Sequence, residues 1–277
     1  MNVTILGVDA TGRHVAQSCA IAAHPVSIHA NHPSDAMDAI DAVEHALEKQ
    51  GHHQRTLDAT TGLRAAVRGA DIVIETTTTD EAALHDLFAE IETFVGSETL
   101  LATSAPTVSL ADVTTGLGYP ERVLGLRFHD DASMVEIVST DQTSRETVER
   151  AISFVESLDA VALAVQETPG MVSERLIAAL EVEAMRLLAD GVASAETIDE
   201  LLVTGYDHPI GPLERADRIG LGKRLELLEY LASELGEQYR PPELLRQRVA
   251  VGKTGMDAGE GFYIWEQGEP VKSAIEH

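Results

Sequence analysis

The sequence has a single cysteine, Cys19, in 277 residues, so neither a disulfide within the chain nor a cysteine-based metal cluster can form. Lysine is almost as scarce: Lys49, Lys223, Lys253 and Lys272 are the four present, and Lys and Arg together number 20 against 46 Asp and Glu. The net charge of −26 argues against nucleic acid and anionic membrane partners, because phosphate binding draws on clustered cations. No apolar run reaches the ~18 residues of a membrane-spanning helix. Met1-Asn2-Val3 enters an apolar stretch without a basic leader, so a cytoplasmic location is expected. The histidines lack metal-site spacing: no pair at i and i+4 stands with a carboxylate at ligand spacing, so no metal site is expected. His24, His32 and the His52-His53 pair read as solvated side chains in loops and at helix ends.

What is present is an ordinary hydrophobic fraction, 44%, in a chain long enough to bury a substantial core and to form two domains. The acidic excess runs the full length without forming a tail or block. That distribution fits adaptation to high salt, where long-range repulsion is screened within a few Å, with an acidic protein of ordinary salt as the alternative.

Strand and helix signals alternate in the first half. Short apolar runs predict strands at 3–6, 26–30, 70–75, 100–103, 123–128 and 135–138. Helical periodicity covers 12–23, 35–49, 61–67, 84–94 and 145–158. Cys19 falls on the apolar face of the first helix, where it packs. This alternation implies an α/β fold with a doubly wound, mostly parallel sheet, over residues 1–166. From Pro169 the pattern is helical only, at 173–190, 195–203, 222–235 and 242–251, which implies an all-α C-terminal domain over residues 167–277.

The segment Leu6-Gly7-Val8-Asp9-Ala10-Thr11-Gly12 lies between the first strand and first helix, where a dinucleotide-binding loop belongs. Gly7 and Gly12 occupy the outer glycine positions, but Asp9 holds the middle one and brings a Cβ and a negative charge where backbone N–H groups should approach a pyrophosphate.

Further segments carry a resemblance. They are Ala70-Asp71-Ile72-Val73-Ile74-Glu75, Leu101-Ala102-Thr103, the run from Pro120 to Phe128, Thr168-Pro169-Gly170, Gly191-Val192-Ala193-Ser194, His208-Pro209-Ile210-Gly211-Pro212-Leu213-Glu214 and Gly259-Glu260-Gly261-Phe262-Tyr263. In this order and spacing, from Val3 to about Trp265, the chain resembles the 3-hydroxyacyl-CoA dehydrogenase family. The resemblance implies a Rossmann-type NAD domain, a helical domain that binds substrate and forms a homodimer, and NAD-dependent oxidation of a 3-hydroxyacyl-CoA.

Carried over position by position, the resemblance places the family's catalytic histidine at Arg127, its orienting glutamate at Glu136, its serine at Pro106 and its asparagine at Glu174. Thr107 and Ser104 are neighbours that could stand in for the serine, and His129, two residues after Arg127, is a candidate displaced base. On the cofactor side the ribose-binding acid corresponds to Ala30, followed by Asn31, and the position expected near the nicotinamide ribose is Thr79. His208 belongs to a turn in which Pro209, Gly211 and Pro212 shape a helix start, and it reads as structural. Three function classes are consistent with these residues: a dehydrogenase with a rearranged site, a catalytically silent acyl-CoA or nucleotide binder, and a structural partner of an active homologue. For Arg127, Glu136 and Glu174 the structural alternative is an ion-pair cluster.

Overall fold

A computed structural model describes residues 1–52, 57–78, 80–105, 107–128 and 133–275. The chain divides into two compact units, Met1–Thr168 and Pro169–His277, each with its own hydrophobic core.

The first unit runs β1 (Val3–Leu6), α1 (Ala10–Ile21), β2 (Val26–His29), α2 (Pro33–Lys49), β3 (Leu57–Thr60), α3 (Leu63–Ala66), β4 (Ile72–Glu75), α4 (Glu81–Glu92), β5 (Leu100–Thr103), α5 (Leu110–Thr114), β6 (Val123–Phe128), β7 (Met134–Ser139), α6 (Arg145–Ser157) and β8 (Val161–Gln166). Its eight strands form one sheet in the order β3-β2-β1-β4-β5-β6-β7-β8. Every pair is parallel except β6 with β7. β1, β4 and β5 are buried along their whole length, as parallel strands covered on both faces must be, which explains their unbroken apolar runs. The lone hydroxyl in β1, on Thr4, donates to the carbonyl of Ala66 at 2.7 Å. From β1 the chain proceeds outward through β2 to β3 and then returns to β4 on the other side of β1. That reversal opens a crevice at the carboxyl ends of β1 and β4, where open α/β sheets bind ligands.

α1 begins two residues before the apolar periodicity does, because Asp9 caps it at Ala10. Its Val15, Ala16 and Cys19 face the sheet with no exposure, and burial pushes the Cys19 thiol up to about 12. Two strands lie outside the sequence expectation. β3 pairs with β2, Val26 opposite Leu57, but it is an edge strand with half-buried and exposed positions and carries Asp58, so no apolar run announces it. β8 pairs with β7 as the other edge, and its Val161 and Leu163 remain 59% and 41% exposed.

The second unit comprises α7 (Val172–Ala189), α8 (Ala195–Tyr206), α9 (Pro212–Ile219), α10 (Leu221–Leu235), α11 (Glu243–Ala250) and an antiparallel hairpin of β9 (Tyr263–Glu266) and β10 (Glu269–Ser273). The expected helices are there. α9 takes up the helix start that Pro209, Gly211 and Pro212 shape, and the hairpin is an addition that departs from an all-helical second unit. Both hang on buried aspartates. Asp199 of α8 accepts from the first-turn N–H groups of α9, Leu213 at 2.9 Å and Glu214 at 2.8 Å, and from the Tyr263 hydroxyl at 2.9 Å. Asp217 of α9 accepts from the N–H of Phe262 and Tyr263 and from the Trp265 indole, each at 2.9 Å. Gly261 is required by this approach, since a Cβ there would lie 2.1 Å from an Asp217 carboxylate oxygen. The Gly-x-Gly-Phe-Tyr and Gly-Pro-Leu-Glu segments are thus fold fixtures.

Among the described residues no helix is long and apolar enough to cross a membrane.

Replacing Asp217 by Ala strands three buried donors at about 1 kcal/mol or more each, so urea unfolding should give a loss of about 3 kcal/mol. A loss below about 1 kcal/mol would show that water or a shifted side chain replaces the carboxylate.

Candidate functional site

The loop after β1 is set by close backbone approach. Gly7 takes φ +127, and a Cβ there would lie 2.4 Å from the Thr76 hydroxyl, while one at Gly12 would lie 2.5 Å from the Gly7 carbonyl oxygen. Asp9 sits between them as the N-cap of α1, with extended backbone at φ −68. Its Oδ1 accepts from the Gly12 N–H at 2.9 Å and from the Thr76 hydroxyl at 2.9 Å. A capping carboxylate satisfies an orphan helix donor and complements the helix dipole. The negative charge expected at this position is therefore fixed against the N–H that an anionic ligand would seek. The Arg13 guanidinium donates to the Val8 carbonyl at 2.6 Å, placing one cation on the same loop.

Beside the loop lies a cavity of about 350 Å³ at the carboxyl ends of β1, β2 and β4. Ala30 lines it, buried, with its N–H given to the Thr60 carbonyl at 3.2 Å; its methyl offers no acceptor to a sugar hydroxyl. Asn31 follows, exposed. Burial holds the His29 imidazole below its usual range, opposed by a hydrogen bond to Thr61. Glu75 ends the apolar run of β4 and of one family-like segment, and its buried carboxylate gathers the next turn. Its Oε1 accepts from the N–H groups of Thr77 at 2.7 Å and Thr78 at 2.6 Å, and from the Thr77 hydroxyl at 3.0 Å. The same threonine run supplies Thr76 to Asp9, a link no spacing could reveal because β1 and β4 meet only in the sheet. Ser104, buried, donates its N–H to the Glu75 carbonyl at 2.9 Å. Thr107 stands half-buried in the turn before α5. Thr79, Pro106 and His129 lie outside the described residues.

Arg127 and Glu136 are register partners across the antiparallel β6–β7 pair, Glu136 buried and Arg127 half-buried. A guanidinium stays protonated at any physiological pH, so Arg127 can bind or neutralise an anion but cannot accept a proton.

In the second unit Glu174 belongs to a buried charge cluster. The Arg224 guanidinium reaches Glu174 at 2.7 Å and Glu181 at 2.6 Å, and Arg215 stands 3.9 Å from each carboxylate. Glu181, Arg224 and Arg215 were not singled out in the sequence. One signal was available: Glu174 and Glu181 are seven residues apart on α7, hence on one face of it. Burial pushes Glu181 up to about 7, with Arg224 pulling it down and Glu174 raising it further. Burial would lower Arg224, but the two carboxylates raise it. Among the described residues no group of three or more His, Cys, Asp or Glu side chains is arranged to hold a metal.

Comparison with known proteins bears on both units. Residues 2–168 match the family model described as 3-hydroxyacyl-CoA dehydrogenase, NAD binding domain, and residues 170–265 match the C-terminal domain of the same enzyme. A probable 3-hydroxybutyryl-CoA dehydrogenase of Bacillus subtilis is 35% identical over 202 residues, 72% of this chain and 70% of that protein. One from Deinococcus radiodurans is 30% identical over 277 residues, covering 95% of this chain and 99% of its own. Among solved structures, (S)-3-hydroxybutyryl-CoA dehydrogenase PaaH1 from Ralstonia eutropha superposes with a TM-score of 0.88 at 27% identity, covering 96% of this chain and 99% of that one.

Because Glu181 is raised from its ordinary 4.5, its contribution to stability is fully present below about pH 4.5 and is lost as pH rises through about 7. The difference in unfolding free energy between the wild type and Glu181→Gln should therefore shift against the wild type between pH 5 and 8. Parallel pH profiles for the two proteins would refute this assignment.

Proposed function

Starting from the chain's membership of the 3-hydroxyacyl-CoA dehydrogenase family, we propose that it binds an acyl-CoA-type ligand on the family scaffold without carrying out the family's hydride transfer. One observation carries this reading: at the strand position paired with Glu136 stands Arg127, a permanent cation. Oxidising a 3-hydroxyl requires a group that takes the hydroxyl proton within hydrogen-bond reach. Arg127 cannot, and it can instead hold an anionic or carbonyl oxygen.

The chain carries the family's NAD-binding domain, but the residues at the phosphate turn do not fit a pyrophosphate. The Asp9 carboxylate already takes the Gly12 N–H and the Thr76 hydroxyl, and Ala30 offers no acceptor at the end of β2. Glu174, committed to Arg224, and Glu136, beside Arg127, act in this reading as charge partners that hold the scaffold. Thr107, Ser104, Asn31 and Thr79 remain candidate ligand contacts, and His129 the one candidate base.

Self-association through the second unit is part of the same proposal. Val192, Leu201 and Tyr206, on and just before α8, are 66%, 58% and 70% exposed in a chain of net charge −26, and a second copy would cover them. The net charge of −26 supports a setting of high ionic strength.

In multi-molar KCl, 3-hydroxybutyryl-CoA with NAD should give no turnover above background, while calorimetry detects binding of the acyl-CoA. Turnover abolished by changing His129 would replace this reading with a rearranged dehydrogenase. The combined Asp9→Gly, Ala30→Asp and Arg127→His variant should raise the rate at least about a hundredfold, the scale of general-base catalysis. Light scattering should give a dimer for the wild type and a monomer for Leu201→Glu; a monomeric wild type would remove the self-association.

A further inference from the structure

The cavity at the carboxyl ends of β1, β2 and β4 is lined by two carboxylates, Glu75 and Asp35, and a third, Asp9, follows the lining residue Val8 in the chain. Asp9 caps α1 and is tied to Thr76. Glu75, buried, is held by Thr77 and Thr78. Asp35, in the first turn of α2, lines the cavity half-buried, with the Ser34 hydroxyl 3.1 Å from its Oδ1. Opposing them is the guanidinium of Arg13, on α1, bonded to the Val8 carbonyl; burial lowers the His29 imidazole from its usual range, and His32 is exposed. The apolar part of the wall is Leu6, Val8 and Leu87. At about 350 Å³ the space falls at the small end of small-molecule sites, which run from ~300 to 1,000 Å³.

We propose that this cavity takes an uncharged nucleoside and rejects its phosphate and pyrophosphate esters, because the Asp9 carboxylate is a built-in anion fixed at the α1 N-terminus. Residues 2–168 match an NAD-binding domain, and open α/β sheets bind nucleotides at the carboxyl ends of their strands, which supports a nucleoside as the occupant. The base lies against Leu6, Val8 and Leu87, and the Asp35 carboxylate accepts from the ribose hydroxyls. The ester is turned away for two reasons. Its oxygens meet a like charge, and the Gly12 N–H, one of the helix donors that would hold them, is already taken. The inference deepens the reading that the family scaffold no longer carries out hydride transfer. It differs in concerning affinity alone, and it makes Asp9 the residue that decides ligand class.

The test is calorimetric titration of the full chain in multi-molar KCl with adenosine, ADP and NAD, repeated on Asp9→Asn and Asp9→Ser. Both replacements keep a capping oxygen for Gly12 while removing the charge. For the wild type, adenosine should bind at least as tightly as ADP or NAD. In both variants ADP and NAD should tighten at least tenfold, which is about 1.4 kcal/mol, with adenosine within twofold of its wild-type value. Helical circular dichroism unchanged from the wild type establishes that each variant is folded. The proposal is overturned if wild-type ADP binds tenfold tighter than adenosine, as it would were Arg13 to capture the phosphates. It is also overturned if adenosine does not bind, or if neither folded variant gains affinity for ADP. None of these readouts involves turnover, so activity toward 3-hydroxybutyryl-CoA would sink the silent-binder reading while leaving the affinity ratios to decide this one.

Discussion

Carboxylates accepting hydrogen bonds from backbone N–H groups hold this molecule together at its corners. Asp9 starts α1, Glu75 shapes the turn after β4, Asp199 starts α9, and Asp217 anchors the strand that opens the final hairpin. The pattern recurs where Glu92 holds the N–H groups of Gly118 and Tyr119 and where Asp80 caps α4. A chain so rich in acid could have kept its carboxylates in solvent. Instead it uses them where helix ends and turns leave donors unsatisfied, and there a charged acceptor is roughly twice as strong as a neutral one.

That habit also explains the first unit's central conflict. In the family scaffold an N-terminal helix donor facing the crevice is an invitation to an anion. Here the chain supplies the anion itself, and the helix is better capped for it. Stability of the loop and affinity for a pyrophosphate thus draw on the same N–H group, and Asp9 gives it to the fold. In the second unit Arg224 is enclosed by Glu174 and Glu181 under conditions where desolvation opposes the pairing. Removing Arg224 would leave two buried carboxylates with Arg215, 3.9 Å from each, as their remaining cation in the cluster.

Much of this was legible in the sequence. The buried strands β1, β4, β5 and β6 appear as apolar runs because both their faces are covered, and Gly7, Asp9 and Gly12 stand out because spacing alone defines that loop. The family segments were legible too, but their reasons were not: that Gly261 yields to Asp217, or that the segment before α9 leads to Asp199, depends on residues far apart in sequence meeting in space. β3 escaped because an edge strand needs no alternating pattern, and α9 showed its start at Pro212 but not its extent, because eight residues with four charges offer too little periodicity. The partner of Glu174 escaped because Arg224 lies three helices away along the chain.

Cys19 shows a different side of the same packing. Sealed in the core between α1 and the sheet, with its thiol held to about 12, it presents no thiolate to an oxidant or an alkylating reagent. In the folded protein Cys19 is therefore shielded from thiol chemistry. A thiol probe reacts only with molecules whose first helix has left the sheet, so nature has placed in this chain one label that counts opening events of the α/β unit.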